Sequence, residues 1–396
     1  MFVYADNAAT TKPSQVALDA MLPCLTDVYG NPSSLHSVGQ KAAETLQAAR
    51  ETVAACLGCQ AREIYFTSGG SEADNQAIVS AARLGAKKGK KHIISTAFEH
   101  HAVLHTLKKL EKEGFEVELL PVGEIGTVTA EQVKAAIRPD TCLVTIMYAN
   151  NEIGSVLPIA EIGAVCKEAG VLFHTDAVQA AGHLHINVQE QNIDMLSLSG
   201  HKFHGPKGVG VLYARKGIIL TNIIEGGAQE RGKRAGTENI PGIVGMAAAL
   251  KDMCEHIDEN AVKVSALRDK LIAGLAKIPH SILNGDPVHR LPGNVNFCFE
   301  GIEGESLLLL LDDKGICASS GSACTSGSLD PSHVLLAIGR PHEVAHGSLR
   351  LSLGEWNTEE EVDYMLKAIP EVVEYLRGMS PVWQDLVNGK RSFVLA

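Results

Sequence analysis

Seven short apolar runs, separated by stretches with helical patterning, limit the fold of this chain more than any other feature. Most of these runs are apolar throughout instead of alternating with polar residues, which is typical of strands whose sheet is covered on both faces. Strands that alternate with helices build an α/β layer around a mainly parallel sheet. The sequence therefore predicts an α/β fold with a seven-stranded sheet, whose strands cover residues 63–67, 92–96, 117–122, 142–149, 171–176, 195–199 and 209–214.

The pattern changes near residue 256, which indicates a second domain. A chain of 396 residues with 45% hydrophobic side chains is long enough to form two cores. We expect a large domain at 15–255 and a small α+β domain formed by 1–14 and 256–396. The elements expected after residue 256 are a long helix to residue 277, a strand at 294–299, a Leu-rich helix at 305–312, strands at 316–320 and 349–353, and a final helix.

The charge and the cysteine usage narrow the possible partners and compartments. The chain has 35 basic and 46 acidic side chains, a formal net charge of −11, so nucleic acid and anionic membrane surfaces would be repelled. The first residues lack the basic start and apolar stretch of a signal peptide, and no apolar run reaches the roughly 18 residues of a membrane span. Nine cysteines, an odd number, favour reduced thiols. We therefore expect a cytoplasmic protein without a nucleic-acid or membrane partner.

A glycine turn at 68–71 directly follows the first predicted strand and opens a helix. Glycines let the backbone approach an oxyanion closely, and the N–H groups of a first helical turn point at it. The Ser71 hydroxyl adds a further donor. The same residues also fit a plain serine cap in which Asp74 closes a capping box. The turn is thus a candidate anion site, with the cap as the alternative.

Two ionisable side chains stand at the ends of predicted buried strands. Lys202 follows the strand at 195–199, where desolvation beside other cations would favour the neutral amine, a nucleophile for aldehydes. The alternative is an exposed lysine in a turn, which suits Lys207 better. Asp176 ends the strand at 171–176. It could cap a helix, or it could keep a heteroaromatic nitrogen protonated, as a pyridine cofactor requires.

Eight spaced motifs now carry a resemblance to a known family. They are DNAATT (6–11), the glycine turn (68–71), EHHAV (99–103), NNEIG (150–154), HTDAVQ (174–179), SGHKFHGPKG (199–208), RAGTEN (234–239) and SSGSACTSG (319–327). Together they resemble the pyridoxal-phosphate-dependent cysteine desulfurases of the nitrogen-fixation and iron–sulfur-assembly type, in the class V aminotransferase superfamily. The resemblance implies a fold-type-I pyridoxal phosphate enzyme, a homodimer, L-cysteine as substrate, and an iron–sulfur scaffold or other sulfur-acceptor protein as partner.

The resemblance also implies roles for the residues that would hold pyridoxal 5′-phosphate. Lys202 would bind the cofactor covalently, Asp176 would pair with the pyridine nitrogen, and His100 would stack on the ring. Asn151 and Gln179 would contact the ring hydroxyl. The phosphate would be held by Gly70, Ser71, Ser199, His201 and, from the other subunit of a dimer, Thr237.

The implied chemistry is the desulfuration of L-cysteine. Arg350, with a planar guanidinium suited to a bidentate grip, would bind the substrate carboxylate, and Asn31 would assist. Lys202 would remove the Cα proton as general base. Cys324 lies among small residues that pack no core, and its thiolate would attack the substrate Sγ to give a persulfide and alanine. The sulfur would then supply iron–sulfur cluster assembly.

Two other functions fit parts of the sequence. An aminotransferase or a selenocysteine lyase on the same scaffold would use Lys202 but has no obvious need of a thiol in a polar segment, so Cys324 discriminates. A sulfur-handling protein that only binds partners would be expected to have lost Lys202, Asp176, His100 or Arg350. All four are present.

No metal site is predicted. Cys56 and Cys59 have the spacing of a zinc or redox pair, but a zinc site needs a second ligand pair, and we expect these cysteines to end a helix. His100, His101 and His105 stand at a helix start, and no carboxylate or cysteine is seen in the sequence to complete a ligand set.

Overall fold

The computed structural model describes residues 1–320 and 331–395. Residues 321–330, which include Cys324, lie outside the described residues. The strands of the described part are β1 Val3–Tyr4, β2 Ile64–Thr67, β3 His92–Thr96, β4 Glu116–Leu120, β5 Thr141–Thr145, β6 Leu172–Asp176, β7 Met195–Ser199, β8 Gly210–Ala214, β9 Ser281–Leu283, β10 Asn294–Phe299, β11 Ile316–Cys317 and β12 Ser348–Ser352.

The helices connect these strands and cover the sheets. They are α1 Gln15–Thr26, α2 Ser37–Leu57, α3 Gly70–Ala86, α4 His101–Lys112, α5 Ala130–Ala136, α6 Ile159–Ala169, α7 Gln229–Gly232, α8 Ile240–Glu255, α9 Ile257–Leu275, α10 Gly304–Asp313, α11 His333–Ala337, α12 His342–Ala345, α13 Glu359–Met379 and α14 Pro381–Val387. Over residues 1–320 and 331–395, none of these helices has both the length and the apolar character needed to cross a membrane.

The largest sheet confirms the predicted α/β fold. Its seven strands lie in the order β2-β8-β7-β6-β5-β3-β4, and each corresponds to one of the seven apolar runs. All neighbouring pairs are parallel except those of β8, which runs antiparallel to both β7 and β2. The carboxyl ends of the parallel strands therefore share one edge of the sheet, where ligands of such folds bind.

Helices cover both faces of this sheet, as the continuous apolar runs predicted. Ile94 packs into a core with residues of α2, α6 and α8, whereas its neighbour Ile93 packs into a separate core with residues of α3 and α4. Val144 and Leu143 of β5 divide between the same two cores. Successive side chains of a strand point to opposite faces, so each buried strand supplies both layers.

A third core lies in the C-terminal part of the chain. Residues of α9, α10 and α13 pack there against β10 and β12, and β1 from the N terminus pairs in parallel with β11 and adds Val3. The strands β10, β11 and β12 were predicted from the sequence, whereas the short strands β1 and β9 were not. The division of the chain at 15–255 stays a prediction.

A buried ion pair connects α2 to the edge strand β2 through the turn at α7. Arg50 donates through Nη1 and Nη2 to the two carboxylate oxygens of Glu230, at 2.7 and 2.6 Å. The side chains are 7% and 2% exposed. Glu230 also accepts the backbone N–H of Phe66 at 3.0 Å, and the Arg50 guanidinium lies 4.5 Å from the Phe66 ring centroid. Glu230 therefore satisfies three donors that have little access to water.

We predict that Glu230→Ala lowers the free energy of unfolding by about 3–5 kcal/mol, because it leaves a buried guanidinium without its partner. The backbone at position 230 has a φ of 47°. Alanine and glutamate are both non-glycine residues, so this positive φ costs about the same in the variant and in the wild type. Glu116→Ala, which removes the exposed partner of Arg138, is the control and should change stability very little. Urea unfolding measures the free energy of unfolding of both variants. Equal losses of stability would contradict the view that the buried Arg50–Glu230 pair stabilises the fold more than the exposed one.

Candidate functional site

One cavity of about 330 Å³ opens at the carboxyl edge of the large sheet. Asp176 ends β6, Ser199 ends β7 and Asn151 follows β5, so three strand ends contribute to its wall. Ten of the predicted site residues line it: Gly70, Ser71, His100, Asn151, Asp176, Gln179, Ser199, His201, Lys202 and Arg350. The tertiary structure thus brings together residues that are as far apart in the chain as Gly70 and Arg350.

The N terminus of α3 forms one end of this cavity. A second cavity of about 370 Å³ adjoins it and shares the four residues predicted to hold a phosphate from this chain: Gly70, Ser71, Ser199 and His201. The first N–H groups of a helix have no intrahelical acceptor and favour anions. A Cβ on Gly70 would lie 2.5 Å from Cγ2 of Val178, so a larger residue would displace this wall. The backbone here is suited to an oxyanion.

The capping-box alternative for this turn is wrong. The helix begins after Gly69, which provides no side-chain cap. The Glu72 carboxylate accepts the backbone N–H of Ser68 at 2.7 Å and pairs with Arg234 at 2.9 Å. Asp74 is instead 1% exposed and lines the cavity, because the fifth residue of α3 lies on the buried side of the helix.

Lys202 ends a single 3₁₀ turn, Gly200–Lys202, directly after β7. Its Nζ donates to the backbone carbonyls of Ala8 and Ala9 at 2.6 and 2.7 Å. The amine therefore lies at the cavity wall and not in an exposed turn. The N-terminal segment is fixed against the same turn, since Thr11 donates its N–H to the His201 carbonyl at 2.9 Å.

Asp176 is 6% exposed and also lines this cavity. Its Oδ1 accepts the backbone N–H of Val178 at 2.9 Å. Burial raises the pKa of Asp176, whereas His100, the Val178 N–H and Lys202 favour its ionised form. The carboxyl does not cap a long helix. It is a buried acceptor in a cavity with cationic groups nearby, as a protonated ring nitrogen requires.

Arg350 comes from β12 and extends into the cavity with only 3% of its side chain exposed. Its Nη1 donates to the Asn151 carbonyl and its Nη2 to Asp6, both at 3.0 Å. Within the described residues, Nε has no hydrogen-bond partner. A buried guanidinium donor without an acceptor is costly, so this atom is suited to a ligand.

Among the described residues, two predicted site residues do not line this cavity. Asn31 and Thr237 are both exposed and are not among the residues that line it. Cys324 lies outside the described residues, so its position is not part of this structure. The roles of all three stay predictions.

Glu99 is a buried carboxyl beside the cavity that was not predicted from the sequence, although the EHHAV motif contains it. Its side chain is fully buried and joins two strand ends: Oε1 accepts Thr96 Oγ1 at 2.5 Å and the Met147 N–H at 3.1 Å. Oε2 has no partner among the described residues. Burial raises the pKa of Glu99 to about 8. A carboxyl directly after a buried strand is the signal that could have revealed it.

The structure also corrects the reason given for excluding a metal at the histidines. Two carboxylates do approach one of these histidines, since ligand atoms of Asp74, His100 and Asp176 lie within 4.8 Å of one another. The chain separates these residues widely, and only the sheet edge brings them together. The absence of a metal stays a prediction.

We predict that Glu99→Gln stabilises the protein more at high pH than at low pH. The folded chain holds the Glu99 proton between the unfolded value of 4.5 and about 8, so wild-type stability falls as pH rises through this window. Glutamine keeps the Oε1 acceptor and does not ionise. Unfolding at about pH 5 and about pH 9 measures the difference. Glu124→Gln, at an exposed position, is the control, and the same pH response in both variants would contradict the prediction.

Comparisons with known proteins agree with this geometry. The chain matches the family described as aminotransferase class-V over residues 3–365. It is 56% identical over 391 residues to a Clostridium botulinum (strain Hall) protein named cysteine desulfurase IscS, with 98% of each chain covered. A protein of the same name from Methanosarcina thermophila is 56% identical over 380 residues, which cover 96% of this chain and 94% of its own.

A solved structure shares the fold as well as the sequence. A NifS-like protein superposes with a TM-score of 0.89 at 40% identity, covering 95% of this chain and all of its own. These similarities extend over nearly the whole chain and include the strands whose ends form the cavity. The protein therefore belongs to the cysteine desulfurase family of class-V aminotransferases.

Proposed function

We propose that this protein converts L-cysteine to L-alanine and transfers the sulfur to its own Cys324 as a persulfide. Membership of the cysteine desulfurase family supports the reaction. The observation that carries the proposal is the meeting of three groups in one cavity: the Lys202 amine, the Asp176 carboxyl and the Arg350 guanidinium. A base, a counter-ion for a ring nitrogen and a carboxylate-binding group are what this reaction requires.

The cavity fits pyridoxal 5′-phosphate. The N terminus of α3 and the adjoining second cavity suit its phosphate, and buried Asp176 suits a protonated ring nitrogen. When bound, the cofactor supplies an electron sink that stabilises negative charge at the substrate Cα. The residues that would hold it are Gly70, Ser71, His100, Asn151, Asp176, Gln179, Ser199, His201 and Lys202, together with Thr237 of the partner subunit.

Arg350 binds and orients the substrate in this proposal. Its Nε lacks an acceptor among the described residues, and its two terminal nitrogens are held by Asn151 and Asp6. A substrate carboxylate can take the free Nε position and compete with Asp6 for Nη2, which gives paired contacts. The carboxylate would thereby be fixed relative to Lys202. Asn31 would assist from a position outside the cavity lining.

Lys202 and Cys324 divide the chemical work. The Lys202 amine removes the proton from the substrate Cα. The Cys324 thiolate then bonds to the substrate sulfur while the Cβ–Sγ bond breaks. The electron pair of the broken bond stays with the three-carbon skeleton. Its Cβ takes up a proton to become a methyl group, Lys202 returns a proton to Cα, and the product leaves as alanine. Cys324 keeps the sulfur as a persulfide.

The described residues on either side of 321–330 support a role for Cys324 at this cavity. Before the segment, Ser319 and Arg350 exchange backbone hydrogen bonds at 3.1 and 2.6 Å. After it, Ser332 donates to the buried Glu152 carboxylate, and His333 Nε2 lies 2.9 Å from the Glu99 carbonyl oxygen. The described residues on both sides of 321–330 therefore bond to the cavity-lining residue Arg350 or to direct sequence neighbours of the lining residues His100 and Asn151.

We also propose a homodimer that completes the site. The surface of α1 carries an unusual number of exposed apolar side chains, namely Val16, Leu18, Leu22 and Leu25. Exposed apolar patches of this kind mark protein interfaces. Thr237 is exposed and does not line the cavity of its own chain, which agrees with a role in the partner's site.

The sulfur acceptor in this proposal is an iron–sulfur scaffold or another acceptor protein in the cytoplasm. A persulfide carries sulfur at the reduction level that a second thiol can accept, so transfer needs no further oxidant. The relatives named IscS support supply of iron–sulfur assembly.

We predict that Arg350→Lys lowers kcat/KM for L-cysteine by about thirtyfold, which corresponds to about 2 kcal/mol. A single ammonium cannot make the paired contacts that a planar guanidinium offers a carboxylate. The absorption of the bound cofactor should be retained. Unchanged kcat/KM would remove Arg350 from substrate binding.

We predict that Cys324→Ala keeps cofactor and substrate binding but abolishes sulfur transfer, because no thiolate is then present to take the sulfur. Alanine formed per active site and persulfide mass on the protein should both collapse. Cys56→Ala and Cys59→Ala, which replace half-buried cysteines near the end of α2, are the controls and should leave both products in place.

Lys202→Ala separates this outcome from loss of the cofactor. It should abolish the lysine linkage that borohydride traps, whereas Cys324→Ala should retain it. Alanine production by Cys324→Ala at a rate near that of the wild type would replace the proposal by a lyase that expels the heteroatom without a cysteine nucleophile.

A further inference from the structure

A second buried carboxyl group lies beside Asp176. Asp74, on the first turns of α3, is 1% exposed and lines the same cavity. Its Oδ1 has no hydrogen-bond partner among the described residues. Ligand atoms of Asp74 and Asp176 are within 4.8 Å of each other. Two carboxylates this close cannot both ionise without strong compensation.

The groups that face Asp74 offer it no permanent positive charge. From β6, His174 places Nε2 at 3.7 Å from Oδ1, but burial lowers the pKa of His174 to about 3 and keeps it neutral. His174 is bonded instead to Thr145 and Ser197, at 2.8 and 3.0 Å. The nearby Ser197 hydroxyl favours the ionised form of Asp74, and Glu99 is a further acidic neighbour. A ring nitrogen of His100 also lies within 4.8 Å of the Asp74 carboxyl. Burial and nearby Asp176 raise the pKa of Asp74 well above its usual value.

Asp176 has more support for a negative charge than Asp74 has. His100, the Val178 N–H and Lys202 all favour the ionised form of Asp176. For Asp74, the Ser197 hydroxyl favours the ionised form, whereas burial, Asp176 and Glu99 all disfavour it. The two carboxyls therefore differ in environment, and this difference separates their protonation states.

We propose that Asp74 is a positioning residue that holds a proton beside Asp176, so that the pair presents one negative charge, on Asp176, to the cofactor's ring nitrogen. This inference rests on the proposed function. The neutral Asp74 carboxyl fills the space beside the charged one, close to the Ser197 hydroxyl. Asp74 thereby keeps the single negative charge on Asp176 and adds no second negative charge to the cavity.

The test compares two matched substitutions, Asp74→Asn and Asp176→Asn, each of which replaces a buried carboxyl by an amide of the same shape. The affinity of the full-length protein for pyridoxal 5′-phosphate is measured near pH 7 from the absorption of the bound cofactor. Asp74→Asn should change the dissociation constant by less than about threefold, whereas Asp176→Asn should weaken it more than about tenfold. Equal losses would overturn the proposal, because Asp74 would then be a second counter-ion.

Asp74→Ala and infrared difference spectra distinguish positioning from no role at all. Asp74→Ala should weaken cofactor affinity about tenfold, and the conservative Asp74→Asn should restore it. Wild-type holoenzyme should show the carbonyl stretch of a protonated carboxyl that Asp74→Asn lacks. Glu99→Gln is the control, since it removes a different buried acid and should leave the Asp74 band in place.

Two results overturn the inference alone: unchanged affinity in Asp74→Ala, or no protonated carboxyl band that depends on Asp74. Failure of the wild-type protein to bind pyridoxal 5′-phosphate would instead overturn the proposed function. The two failures are therefore distinguishable.

Discussion

The hydrogen bonds of the N-terminal segment 6–11 hold the two halves of the site together. Ala8 and Ala9 accept the Lys202 amine with their carbonyl oxygens, and Ala8 donates its N–H to Ser352 Oγ at 2.8 Å. Lys202 comes shortly after β7 of the large sheet, whereas Ser352 ends β12 in the C-terminal core. Because one short segment bonds to both, these hydrogen bonds help to fix the Lys202 amine relative to β12, the strand that carries Arg350.

Electrostatics explains why the cavity is built from so many charged residues in a chain of net charge −11. The carboxyls of Asp176, Asp74 and Glu99 are all buried at the same sheet edge. Burial favours their neutral forms, and the local cations decide which one ionises. In the proposed function, anions are bound by short-range donors, the N terminus of α3 and Arg350, instead of by the field of the whole protein.

The sequence predicted the elements whose patterns are local. Each strand of the large sheet is an apolar run bounded by helical stretches. Asp176 and Lys202 were predicted because Asp176 ends one such run and Lys202 comes shortly after another. The antiparallel direction of β8 was not predictable in this way, since an apolar run has no direction. Asp74 was interpreted as a cap because its spacing from the glycine turn fits one, and only packing shows that it lies on the buried side of α3.

The sequence alone determined the α/β class, the strand ends that carry charge and, through eight motifs, the family. Those features depend on residue type and on neighbours along the chain. The tertiary structure decided which charged groups share a cavity, which carboxyls are buried side by side and which donor of Arg350 has no partner among the described residues. These properties depend on burial and on distances between residues far apart in the chain. The energy of a charged group is set by what surrounds it in space, and the sheet edge is where distant segments meet.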